Sequence, residues 1–113
     1  MTPQREKFVL RTYTRFPLQT SMIFLGKDVA GQGIVREVSR LGCSILGHNQ
    51  VTRGETLSLR MSDPAHPEPL FIASATVRWV NGPEFGVAFG DLGEREADHL
   101  QRILDELLDG RSY

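Results

Sequence analysis

Residues 71–89 read FIASATVRWVNGPEFGVAF. Two runs rich in β-branched and aromatic residues flank Asn81-Gly82-Pro83, a turn signal. Phe71, Ala73, Ala75, Val77 and Trp79 alternate along the first run, and Phe85, Val87 and Phe89 along the second. A period of two places such residues on one face of a half-buried strand. The stretch is therefore predicted to be a β-hairpin, with both sets of side chains pointing into a core.

The same period extends upstream. In residues 56–61, Leu57, Leu59 and Met61 alternate with Thr56, Ser58 and Arg60. Phe16 to Gly26 reads as a strand ending at Gly26-Lys27-Asp28, Gly33 to Val38 as a second, and Cys43 to Leu46 as a short third. Between 63 and 69 three prolines remove ladder donors, so that segment is a loop. The C-terminal part switches period: Ala97, Leu100, Ile103, Leu104, Leu107 and Leu108 recur at three and four. Asp91 and Glu94 have capping-box spacing, and Gly110 suits a helix C-cap. Six antiparallel strands without a crossover helix, followed by one amphipathic helix, predict a mainly β chain. Its architecture is a small six-stranded antiparallel barrel with a C-terminal α-helix packed against it. Residues 1–15 are polar and basic, without a period, and are expected to form a flexible N-terminal arm; residues 16–113 form the domain.

Bulk properties narrow the function. The 113 residues suit one domain with a modest core. A net charge of −1 argues against a general polyanion binder. The basic residues Arg5, Lys7, Arg11 and Arg15 gather at the N-terminal end, whereas seven acids fall within residues 91–113. A single cysteine, Cys43, rules out an intramolecular disulfide. No secretory signal or membrane-length apolar run is visible, so a cytoplasmic protein without membrane insertion is expected.

Enzyme chemistry finds little support. His48, His66 and His99 lie in separate contexts, and none stands at metal-ligand spacing from another or from Cys43. Cys43 in a short strand reads as a small buried filler, and Trp79, which could stack on a ligand, reads as a core residue because an inward strand tryptophan is more often core. Neither catalysis nor a cofactor is expected. Two other pieces stand out. Arg11-Thr12-Tyr13-Thr14-Arg15 presents two guanidinium forks, which suit phosphate oxygens and the O6/N7 edge of guanine. About twenty residues later comes Glu37-Val38-Ser39-Arg40-Leu41-Gly42. There a carboxylate accepts from guanine N1 and N2, a hydroxyl bonds phosphate or a neighbour, and a glycine permits close backbone approach.

In this order and spacing, RTYTR at 11–15 and EVSRLG at 37–42 resemble the two motifs of the PilZ domain family, bacterial receptors for cyclic di-GMP. The family pattern is R-x-x-x-R followed by D/N-x-S-x-x-G. The strand segments FPLQTSMIF and GCSI, the later hairpin and the C-terminal helix also fit, so the resemblance covers residues 5–108. It implies a PilZ-type barrel. It also implies that Arg11 and Arg15 grip phosphates and guanine edges, while Glu37, Ser39 and Gly42 complete the site. Glu37 departs from the family's Asp or Asn. Leu10, where some members carry a further arginine, implies one ligand per protomer. The functional expectation is an adaptor that changes its binding to an effector protein on taking up cyclic di-GMP, in control of motility, chemotaxis, exopolysaccharide or pili. The alternative is a degenerate PilZ-type interaction domain that binds proteins only. A single-stranded nucleic-acid barrel is disfavoured by the near-neutral charge and the scarcity of aromatics on polar strand faces.

Overall fold

β1 (Phe16–Leu25) reverses at Gly26, whose amide donates to Val29 O at 2.7 Å, and pairs antiparallel with β2 (Ala30–Val38). There follow β3 (Gly42–Leu46), β4 (Thr56–Ser62), β5 (Leu70–Asn81), β6 (Glu84–Phe89) and the helix α1 (Glu94–Leu108). The computed structural model describes residues 15–47, 50–62 and 67–108. The strands close into a barrel in the order β1-β2-β3-β6-β5-β4, every neighbouring pair antiparallel. The mainly β barrel with its C-terminal helix is thus as the alternation predicts. The anticipated hairpin turns through Gly82 and Pro83, with Gly82 at a φ of 61°, a left-handed value that glycine adopts without a Cβ penalty.

The barrel is filled by alternate residues of all six strands, among them Met22, Phe24, Val35, Ile45, Leu57, Leu59, Met61, Ile72, Val77 and Phe85. Phe24 and Phe85 meet edge to face, with centroids 5.1 Å apart and planes at 77°. That geometry sets the positive edge of one ring against the negative face of the other. Leu100, Ile103 and Leu104 of α1 join this core, and the helix packs on β5 and β1.

Three parts of the sequence reading need correction. Phe71, Ala73 and Trp79 do not point inward: all three are exposed, and Leu70 and Ile72 are buried in their stead at the start of β5. The cause is two bulges. Leu57 pairs with Ala75 but Leu59 with Ile72, so three residues of β5 span two of β4 and the parity flips. Val77 then pairs with Val87 but Trp79 with Gly86, which turns the parity again and places Trp79 outside. The apolar stripe of α1 is also narrower than its spacing suggests, because Ala97 is exposed and Leu108 is 70% exposed. Finally, the helix does not start from Asp91. Gly93 is its N-cap, accepting the first helical bond from Ala97 N at 2.8 Å, and Glu96 leans back over it. Leu92, half-buried against the core, holds the entry two residues later than the Asp91–Glu94 spacing predicts. Arg11 and the rest of the arm up to residue 14, His48, His66 and Gly110 lie outside the described residues.

Candidate functional site

The β1–β2 hairpin explains the spacing of the two motifs. Pro17 pairs with Glu37 and Phe16 with Val38, so the start of β1 lies beside the end of β2. Arg15, immediately before β1, thereby comes within reach of Glu37: Arg15 Nη1 and Glu37 Oε1 are 3.6 Å apart. Both side chains are solvent-accessible, at 69% and 48%. An ion pair so exposed is screened and contributes about 0–1 kcal/mol, so little holds it against a competing anion.

Ser39 and Gly42 form the turn from β2 into β3. Ser39 N donates to Gly42 O at 2.8 Å, and Ser39 Oγ accepts from Leu41 N at 3.2 Å. The Ser39 hydroxyl also lies 3.4 Å from Gly42 O, so its first role is to brace the turn. Leu41 O accepts from Phe89 N at 2.7 Å, which ties the turn to the far end of β6. Any side chain at Gly42 would run into Val87 O, so this close approach of β3 to β6 requires glycine.

Next to the turn, four residues stand side by side across four strands: Glu37 on β2, Ser44 on β3, Gly86 on β6 and Trp79 on β5. Both ends of the row sit at bulges. On β2, Val35 pairs with Ile45 but Glu37 with Ser44, so Arg36 and Glu37 both face solvent. On β5, the second bulge brings Trp79 opposite Gly86, and the indole lies directly over that glycine. A Cβ at Gly86 would meet Cζ2 of the indole at 2.8 Å, with other ring atoms nearer still. Trp79 is 40% exposed, with part of its indole open to the cleft.

These residues enclose an open cleft of about 210 Å³ lined also by Arg15, Ser39, Leu41, Gly42, Cys43, Arg78, Val87 and Ala88. A cleft of this size is smaller than the several hundred Å³ usual for a drug-sized ligand. Two guanidinium groups against one carboxylate favour an anion there. Cys43 points the other way, into the core, and burial pushes its thiol from about 9 up to about 12. It is therefore held as the neutral thiol and carries no nucleophile into the cleft. Among the described residues no set of His, Cys, Asp or Glu is grouped to hold a metal ion, and no helix is long and apolar enough to cross a membrane.

Of the residues singled out from sequence, Arg15, Glu37, Ser39 and Gly42 converge on this cleft. Arg11 lies outside the described residues. Trp79, Arg78 and Ser44 belong to the cleft and were not anticipated there. For Trp79 the alternation itself misled, since a bulge leaves no mark in a hydrophobic pattern.

The sequence matches the PilZ domain family over residues 10–106. A search of the curated proteins found no match. Among solved structures, the Bacillus subtilis inhibitor of motility (MotI/DgrA) superimposes with a TM-score of 0.70 at 18% identity over 89% of this chain. This chain spans only about half, 53%, of that protein's length. The PilZ domain of CeSA from a cellulose-synthesizing bacterium superimposes with a TM-score of 0.68 at 11% identity, over 83% of this chain and 97% of that one. At such identities the superpositions speak for the fold alone.

Proposed function

The chain belongs to the PilZ domain family, a family of cyclic di-GMP receptors, and from that premise we propose that it is a cyclic di-GMP-binding adaptor acting on an effector protein in the cytoplasm. The observation that carries the reading is the convergence of Arg15, Glu37, Ser39 and Gly42 on one cleft walled by Trp79. The dinucleotide brings two phosphate charges to guanidinium groups that are weakly engaged or open. Arg15 exchanges its contact with Glu37 for phosphate, and Arg11, on the preceding arm, completes the clamp. The freed Glu37 carboxylate accepts from the N1 and N2 donors of a guanine. Trp79 offers its outer face for base stacking, worth about 1–3 kcal/mol per base. The arm follows its arginines onto the barrel, and arm and ligand together present a new surface to the effector. Processes such as motility, chemotaxis, exopolysaccharide or pilus control fit an adaptor of this kind.

Isothermal titration with cyclic di-GMP tests the reading. Binding at micromolar Kd or tighter is expected, and Arg15→Ala should abolish it. An absence of heat at tens of micromolar protein would sink it.

The Arg15–Glu37 contact itself favours a second reading, a PilZ-type domain that binds only proteins, because the longer acid occupies the arginine that a ligand would need. The same titration decides between the two.

A further inference from the structure

Ser44 stands at the centre of the row, its Cα paired with Glu37 on one side and Gly86 on the other. It alternates with the inward residues Cys43 and Ile45, so it belongs to the outer face of β3. It is nevertheless only 7% exposed, because it lies at the bottom of the cleft. Its Oγ has no hydrogen-bond partner among the described residues. A buried hydroxyl left in this way is destabilising, and folded proteins seldom tolerate one without a use. Alanine would fill the same position without that penalty.

We propose that Ser44 is a specificity-determining residue that reads the base edge of the bound nucleotide, its hydroxyl donating to O6 of a guanine. The inference rests on the cyclic di-GMP reading above and adds a group to it. Ser44 and Glu37 are direct cross-strand partners on one face, at a spacing of about 5 Å between Cβ atoms. On the Watson–Crick edge of guanine the O6 acceptor is the immediate neighbour of the N1 donor. A hydroxyl beside a carboxylate is complementary to that order: Ser44 gives a proton to O6 while Glu37 accepts from N1 and N2. Adenine presents an amino donor where O6 would be, which the Ser44 hydroxyl can meet only by turning to accept, and a lone pair at N1 against the carboxylate, which Glu37 cannot satisfy. The carboxylate therefore disfavours adenine, and Ser44 sharpens the choice by holding O6 beside it so that N1 and N2 face Glu37.

The test uses the full chain as wild type and Ser44→Ala, titrated with cyclic di-GMP and with cyclic di-AMP, alongside thermal unfolding of both proteins without ligand. Ser44→Ala is expected to weaken cyclic di-GMP binding about tenfold, equivalent to about 1.4 kcal/mol. It should narrow the preference over cyclic di-AMP by a smaller factor, since the hydroxyl can also accept from an adenine amino group, and leave the melting temperature unchanged or raised. If the wild type binds cyclic di-GMP and Ser44→Ala matches it within twofold, the inference is overturned while the ligand reading stands. Equal discrimination in both proteins has the same effect. A clear fall in melting temperature with the loss of affinity would make Ser44 a structural residue and also overturn the proposal. If the wild type does not bind cyclic di-GMP, the ligand reading fails and takes this inference with it.

Discussion

Arg15 Nη1 lies 3.6 Å from Glu37 Oε1, although about twenty residues of chain separate them. The contact is a consequence of hairpin length. Strands of ten and nine residues joined by a tight turn return the end of β2 to the start of β1. A sequence interval that looks arbitrary is thus the contour of one β-hairpin, and it delivers an acid and a base to one place.

That pairing makes Glu37 the adjustable element of the site. Shortening it, Glu37→Asp, withdraws the carboxylate from Arg15 by about one bond length. Cyclic di-GMP affinity is expected to rise several-fold by calorimetry, with unfolding free energy changed by less than about 0.5 kcal/mol because the pair is exposed. An unchanged or lower affinity would mean that the longer side chain is fitted to its place.

Trp79 is the single tryptophan of the chain, so its fluorescence reports on the cleft alone. Ligand binding should quench it as a base stacks on the indole. Trp79→Ala should weaken binding about 5- to 150-fold, the equivalent of about 1–3 kcal/mol. Trp79→Phe should recover part of that loss. A Trp79→Ala protein that binds like the wild type would remove the indole from the site.

Gly42 should not tolerate a methyl group. Gly42→Ala drives a Cβ into Val87 O and must separate β3 from β6 next to the turn. A destabilisation of at least about 1–3 kcal/mol is expected in urea unfolding. Gly54→Ala is a useful contrast. Nothing lies within 4 Å of its Cβ position, so any penalty there comes from its φ of 93° alone.

Cys43 should tie stability to alkaline pH. Its folded thiol titrates near 12, whereas an unfolded one titrates near 9. Between those values the unfolded chain releases a proton that the folded chain keeps, so unfolding gains as pH rises. Denaturant melts should show about 1.4 kcal/mol less stability at about pH 10 than at about pH 8 from this residue. The difference should shrink by that amount in Cys43→Ala. Below about pH 8 the residue contributes no slope.

The legible part of this protein was whatever depends on regular repetition. The alternation in 56–61 marked β4, the three–four spacing around Leu100, Ile103 and Leu104 marked α1, and Asn81-Gly82-Pro83 marked the hairpin. Arg15, Glu37, Ser39 and Gly42 were legible as a set through the resemblance to the PilZ motifs, and the hairpin explains why their spacing becomes proximity. Trp79 was not legible, because bulges hide facing, and Ser44 was not, because nothing in a short regular strand marks it as part of a cleft. Bulges in β2 and β5 insert an extra residue and change which face follows, and no residue type announces them. The same irregularities are what bring Glu37 and Trp79 to opposite ends of one row.

The β4–β1 pairing that seals the barrel has a consequence for recognition. With the six strands joined in a ring, none of them, among the described residues, is an edge strand along its whole length. A partner that added a strand, the route taken by many peptide-binding sheets, would be confined to strand ends that outrun a neighbour, such as the start of β1, which pairs with β2 but not with β4. Along the paired lengths, recognition falls to side chains standing on the outside of the ring. Specificity for one effector over another can then drift through surface substitutions alone, with the hydrogen-bonded ring left untouched.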